Sequence, residues 1–160
     1  MATNTLLQYL EGTGEDAFGN SVSLGTKLSN RRQVETFISK GAITAGAPVG
    51  FDFSTAVVDG DVTLEIVQSN TGSGDTVNCV GIALNAASGA GEKVNVCISG
   101  ICEAVIVTGI SAGDRLKATT PAGKLDGYVN TDTVPIIAYA VDANSSGGDA
   151  TRTVVVIKQF

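Results

Sequence analysis

Ile43-Thr44-Ala45-Gly46-Ala47-Pro48-Val49 is answered later in the chain by Ile110-Ser111-Ala112-Gly113-Asp114-Arg115-Leu116, the same apolar-polar-Ala-Gly turn leading into an extended run. A second echo keeps the same order. Gly81-Ile82-Ala83-Leu84-Asn85-Ala86-Ala87, a glycine-rich turn and Val94-Asn95-Val96-Cys97-Ile98 is answered by Ala138-Tyr139-Ala140-Val141-Asp142-Ala143-Asn144, another glycine-rich turn and Val154-Val155-Val156-Ile157. A short-strand pattern written twice predicts one compact β unit made of two pseudo-equivalent halves. Two copies do not make a solenoid, which needs about three or more stacked units to bury a core.

Working outward from these strings, the remaining signals are also strands and turns. Val62, Leu64 and Ile66 alternate with Thr63, Glu65 and Val67, the period-2 signature of a strand with one buried face, and Asp59-Gly60 before them is a hairpin turn signal. Ser99-Gly100 between Val94–Ile98 and Ile101–Val107 predicts a second hairpin. In that register Cys97 falls opposite Cys102, where opposed Cα atoms stand about 4.5–5.5 Å apart, inside the disulfide range. Synthesis in a cytosol favours free thiols there, so the plain alternative is a set of small buried apolar residues. Pro121-Ala122-Gly123 and Ser146-Gly147-Gly148-Asp149 mark two more turns, and Val154 to Ile157 a closing strand. Ala86-Ala87-Ser88-Gly89-Ala90-Gly91 ends in glycines too often for a helix and reads as a loop. The expectation is an all-β protein, a small β-barrel or β-sandwich of about eight short strands with internal pseudo-duplication.

Residues 1–38 differ in kind. Leu6, Leu7, Tyr9 and Leu10 form a short apolar cluster, after which Gly12, Gly14, Gly19 and Gly25 punctuate a polar run with no sustained period. This predicts an extended N-terminal arm over 1–38 and a body over 39–160.

Charge and composition exclude whole classes of function. The chain has 160 residues, a net charge of −6 and charged residues at only 16%, a β-rich composition long enough to bury roughly two-thirds of its unfolded surface. Residues 1–40 balance four acids with four bases, whereas 41–160 hold twelve acids and six bases. An acidic body without clustered Lys and Arg is the wrong sign for a phosphate backbone, so no nucleic-acid partner is expected. No apolar run approaches the roughly 18 residues of a membrane span, and the N-terminus lacks signal-peptide grammar, so no membrane partner is expected and synthesis in the cytoplasm is.

The absence of histidine removes the commonest general base and neutral metal ligand. No serine sits in a Gly-x-Ser-x-Gly turn, and Asp59-Gly60-Asp61 lacks most carboxylates of a calcium loop. Three cysteines with no Cys-x-x-Cys do not make a zinc site. The expectation is no enzyme, no cofactor, no metal, and therefore no catalytic residue.

The opening Met1-Ala2-Thr3-Asn4-Thr5-Leu6-Leu7-Gln8-Tyr9-Leu10, the Arg31-Arg32-Gln33-Val34-Glu35-Thr36-Phe37 segment, the Ala45-Gly46 turn, Val80-Gly81-Ile82-Ala83-Leu84 and the terminal Lys158-Gln159-Phe160 together resemble small capsid decoration (cement) proteins of tailed bacteriophages. The resemblance runs nearly end to end and lies in the order of the strings. It implies a structural virion protein on the outer surface of an icosahedral head, commonly a homotrimer, locking neighbouring major capsid protein subunits together. A dimer is the alternative assembly. Leu6, Leu7, Tyr9, Leu10, Arg31, Arg32, Glu35 and Phe37 are then the expected capsid-binding residues of the arm. The rival reading is a head fibre or a host-surface adhesin module, whose exposed loops would contact a receptor or glycan.

Overall fold

The computed structural model describes residues 32–52, 65–69, 79–119, 122–132 and 134–157, together with the backbone of 13–15 and 21–23. Strands β1 (Thr13–Glu15) and β2 (Ser21–Ser23) pair antiparallel with each other, in a sheet of their own. Nine further strands form one sheet: β3 (Arg32–Ser39), β4 (Pro48–Phe51), β5 (Glu65–Gln68), β6 (Cys79–Ala83), β7 (Lys93–Ile106), β8 (Arg115–Ala118), β9 (Leu125–Gly127), β10 (Ala138–Ala140) and β11 (Ala150–Val156). The fold is all-β, and the described residues contain no helix.

This sheet closes on itself twice. From β7 the pairings run through β3, β5, β4 and β6 and back to β7; they also run from β7 through β9, β8, β10 and β11 and back to β7. Each circuit is a five-stranded barrel, and the 14-residue β7 serves both.

The duplication written in the sequence is the relation between these barrels. Pro48 pairs with Ile82 as Arg115 pairs with Tyr139, and Val49 pairs with Gln68 as Leu116 pairs with Gly127. The parallel contact of Ser39 with Ile66 is repeated by Ile106 with Leu125. The repeated turn behaves identically in both copies. Gly46 and Gly113 both take positive φ, 80° and 88°, which a side chain would strain. Their N–H groups donate to the Ala83 and Ala140 carbonyls, each at 2.8 Å. The bridge of Ile43 to Ala87 is matched by that of Ile110 to Asn144. Pairing also sets the register of the closing strand, since Glu35 opposite Val96 corresponds to Cys102 opposite Val154. Val154 is thus the counterpart of Val96, where the strings by themselves aligned it with Val94.

Two sequence expectations are corrected. Ser99-Gly100 is not a hairpin turn, and Cys97 and Cys102 lie on the same strand. The first half of β7 is held by β3 and β6 and the second by β11, so partners exist along its whole length and nothing is gained by folding back. Gly100 does take positive φ, 101°, but within the strand, next to the register shift between Gln33 and Val34. The second correction concerns the arm boundary. Residues 32–38 form most of β3, a wall of the first barrel, so they belong to the body and not to an arm. The Asp59-Gly60 turn signal and the strand start at Val62 lie outside the described residues.

Two apolar clusters fill the molecule. Val49, Ile66, Val80, Val94, Val96 and Ile98 line the first barrel, with Phe37 and Phe51 packed against them edge to face, their ring centroids 5.5 Å apart. The other cluster joins the interior of the second barrel, including Ile106, Leu116, Leu125, Ile137 and Val154, to Cys79, Ile82 and Cys97. Each fully buried Val, Leu or Ile contributes about 1.5–3 kcal/mol before ordering costs.

Candidate functional site

Of the residues expected to bind a capsid, Leu6, Leu7, Tyr9, Leu10 and Arg31 lie outside the described residues. Arg32, Glu35 and Phe37 are on β3, and the structure gives them different surroundings. Arg32 is exposed opposite Gly100. Glu35 is half-buried and accepts a hydrogen bond from Gln33 Nε2 at 3.1 Å. Phe37 turns its ring onto Phe51 and the first-barrel core. Glu35 and Phe37, two positions apart and opposite Val96 and Val94, share one face of β3, whereas Arg32 lies beyond the register shift between Gln33 and Val34.

The outer walls of the barrels offer a larger surface. In the first barrel a cross-strand row runs Val34, Cys97, Ile82; Val34 is 40% exposed, whereas Cys97 and Ile82 are buried within the apolar cluster of the second barrel. The equivalent row of the second barrel is Ile101, Val155, Tyr139 and Arg115. There Tyr139 is 41% exposed, and nearby Val141, counterpart of the half-buried Leu84, is 42% exposed. The wall that one barrel buries against its neighbour is presented to solvent by the other.

The cysteines belong to the packing. All three are free and buried. Burial pushes the Cys79 thiol up to about 12. Cys97 and Cys102 share a hydrogen bond although they lie on one strand; that bond, with burial, holds Cys102 well above the usual thiol range. Cys79 and Cys102 are therefore poor nucleophiles, because the thiolate is the reactive form, while the hydrogen bond to Cys102 shifts Cys97 downward.

Charged groups are paired locally. Lys40 meets Asp52, Lys124 meets Asp149, and Lys117 Nζ lies 2.5 Å from Asp132 Oδ1. Lys117 and the Val129 N–H hold the Asp132 carboxyl below the ordinary carboxylate range. The described residues contain no group of three or more His, Cys, Asp or Glu placed to hold a metal.

A cleft of about 450 Å³ lies between the turn at 108–115 and the segment 126–129. Gly109, Ile110, Gly127, Asp114, Arg115 and Tyr128 are among the residues that line it. The Arg115 guanidinium stands 5.1 Å from the Tyr128 ring centroid and donates to Asn130 Oδ1 at 2.9 Å. Asp114 Oδ2 accepts the Ser111 N–H at 2.8 Å, and Asp126 Oδ1 accepts the Gly127 N–H at 2.7 Å. Sequence reasoning missed this cleft. Its mark is Gly127, which stands where the first repeat has Gln68, a correspondence that only strand register supplies.

No protein-family model matches the chain, and no curated relative matches it. Among solved structures, the crystal structure of the head fibre gp8.5 N base of bacteriophage phi29 matches with a TM-score of 0.51 and 16% sequence identity. The match covers 78% of this chain and 95% of that one. What the two share is a fold.

Proposed function

We propose that this chain is a non-catalytic structural protein of a bacteriophage head, seated on the outer surface of the major capsid protein as a decoration (cement) protein. The observation that carries the proposal is the fold likeness to a phage head-fibre base over 95% of that chain. The order of sequence strings that resembles decoration proteins supports the same placement. In this role the double barrel is a rigid body, and the segment before Arg32, with Leu6, Leu7, Tyr9 and Leu10, supplies the capsid contact, assisted by Arg31 and Arg32. The Tyr139–Val141 wall supplies self-association, with a homotrimer as the expected assembly. Several arms on one oligomer then act together, so that each contact can be weak while the whole holds.

A second reading, the base of a head fibre, is favoured by the same neighbour, which is itself a fibre base. The two readings separate in one experiment. Heads stripped of the protein are reloaded with purified chain, and occupancy, resistance to heat and adsorption to host cells are measured. Cement restores heat resistance; a fibre base restores adsorption without it. Failure to bind heads at all would end both readings, and a chain with Tyr139→Asp and Val141→Asp that remained the same oligomer as wild type would exclude that wall from the self contact.

A further inference from the structure

The two barrels differ at the position of Gln68 and its counterpart Gly127. In the first barrel Gln68 reaches across from the end of β5 to the repeated turn, where its Nε2 donates to the Ala42 carbonyl at 3.2 Å and lies 3.5 Å from Thr44 Oγ1. Strand pairing makes Gly127 the counterpart of Gln68, and Gly109 and Ser111 the counterparts of Ala42 and Thr44. The corresponding positions again carry a backbone carbonyl and a hydroxyl, and the side chain that binds them in the first barrel is deleted. Where a Cβ of residue 127 would stand, the nearest group is Ile110 Cδ1 at 3.3 Å, and the space beyond is the 450 Å³ cleft.

We infer that the cleft of the second barrel is a binding site for a neutral N-acetylated hexosamine residue of a glycan. The acetamido N–H takes the part of the Gln68 amide and donates to the Gly109 carbonyl. An amide side chain from a peptide would make the same bond, but it needs only the room that Gln68 occupies, whereas this cleft lies within the roughly 300–1,000 Å³ typical of small-ligand sites. Its rim is also built for hydroxyl groups. Asp114 and Asp126 each use one carboxylate oxygen on a backbone N–H and keep the other available among the described residues. Tyr128 offers an aromatic surface against which the C–H groups of a pyranose can pack. Two carboxylates against one guanidinium, itself engaged by Asn130 and Tyr128, select against an acidic sugar. The site belongs to the free chain and stands whether it serves as cement or as a fibre base.

The test uses the full chain, isotopically labelled, titrated by NMR with N,N′-diacetylchitobiose, with cellobiose as the sugar lacking acetamido groups and a glutamine-containing tripeptide as the peptide amide. Saturable shifts at the Gly109, Gly127 and Tyr128 amides with chitobiose, at least about tenfold weaker with both other probes, are expected. Gly127→Gln should plug the cleft as Gln68 does in the first barrel and weaken chitobiose binding about tenfold or more. Tyr128→Ala tests the rim without inserting a side chain and should also weaken it. The inference is overturned if chitobiose moves none of these amides, if cellobiose or the tripeptide binds as well, or if both variants bind like wild type.

Discussion

Gly81 on β6 should be the least replaceable glycine of the sheet. A Cβ built there would lie 2.2 Å from the Cys97 carbonyl oxygen, 2.9 Å from the Cys97 carbonyl carbon and 2.9 Å from Val96 Cγ1. Ordinary C···O contacts are about 3.3–3.6 Å, so Gly81→Ala requires β6 and β7 to part by about 1 Å. The obstacle is backbone, held by the pairs Ile82 with Cys97 and Ala83 with Val96, and cannot swing aside as a side chain would. Overpacking typically costs 1–3 kcal/mol, and the immobility of this neighbour places Gly81→Ala near 3 kcal/mol, equivalent to about 6–12 °C in Tm for a domain of this size. Gly89, with nothing within 4 Å of its Cβ position, supplies the control, and Gly89→Ala should change stability by less than about 0.5 kcal/mol. The requirement is local to β6, because the counterpart of Gly81 in β10 is Ala138, fully buried with its methyl in place. Urea and thermal unfolding of the two variants measure the difference. Gly81→Ala unfolding within about 0.5 kcal/mol of wild type would refute the close-approach argument.

Asn144→Ala should cost about 2–3 kcal/mol and speed amide exchange across 144–149, because the buried Nδ2 donates to the Ile106, Val107 and Gly148 carbonyls at 3.0–3.1 Å; unchanged exchange there would count against it. Asp132 has a folded-state pKa below its unfolded one, so its contribution is present above the unfolded value and is lost as pH falls through the folded value. Asp132→Asn should therefore flatten the acid limb of the stability profile, and a limb as steep as that of wild type would contradict the assignment. Deleting residues 2–31 should leave a cooperatively unfolding body, since among the described residues β1 and β2 pair only with each other, whereas deleting 2–38 removes the β3 wall and should abolish cooperative unfolding. Circular dichroism melts of the two truncations check this, with equal behaviour refuting it.

What the residues by themselves determined was local: that the chain is all-β, that it is duplicated, and that Gly46 and Gly113 make the same turn. Each of these depends on neighbours a few positions apart, either alternation along one strand or a glycine whose φ must be positive. What only the tertiary structure decided involves partners from far along the chain. Ser99-Gly100 has the composition of a hairpin turn, yet β3 and β11 pair along the two ends of β7 and keep it running through, so Cys97 and Cys102 lie on one strand rather than across a ladder. Arg32 to Ile38 mixes charges and apolar residues too evenly to announce a strand, and it becomes one because β7 lies beside it, with Phe37 meeting Phe51. The substitution of Gly127 for Gln68 is hidden in a linear comparison, because the connection from β4 to β5 is longer than that from β8 to β9 and shifts one copy against the other. Hydrogen-bonded register, a property of paired strands rather than of any one segment, restores the alignment and shows that the second barrel has an open cleft where the first has a side chain.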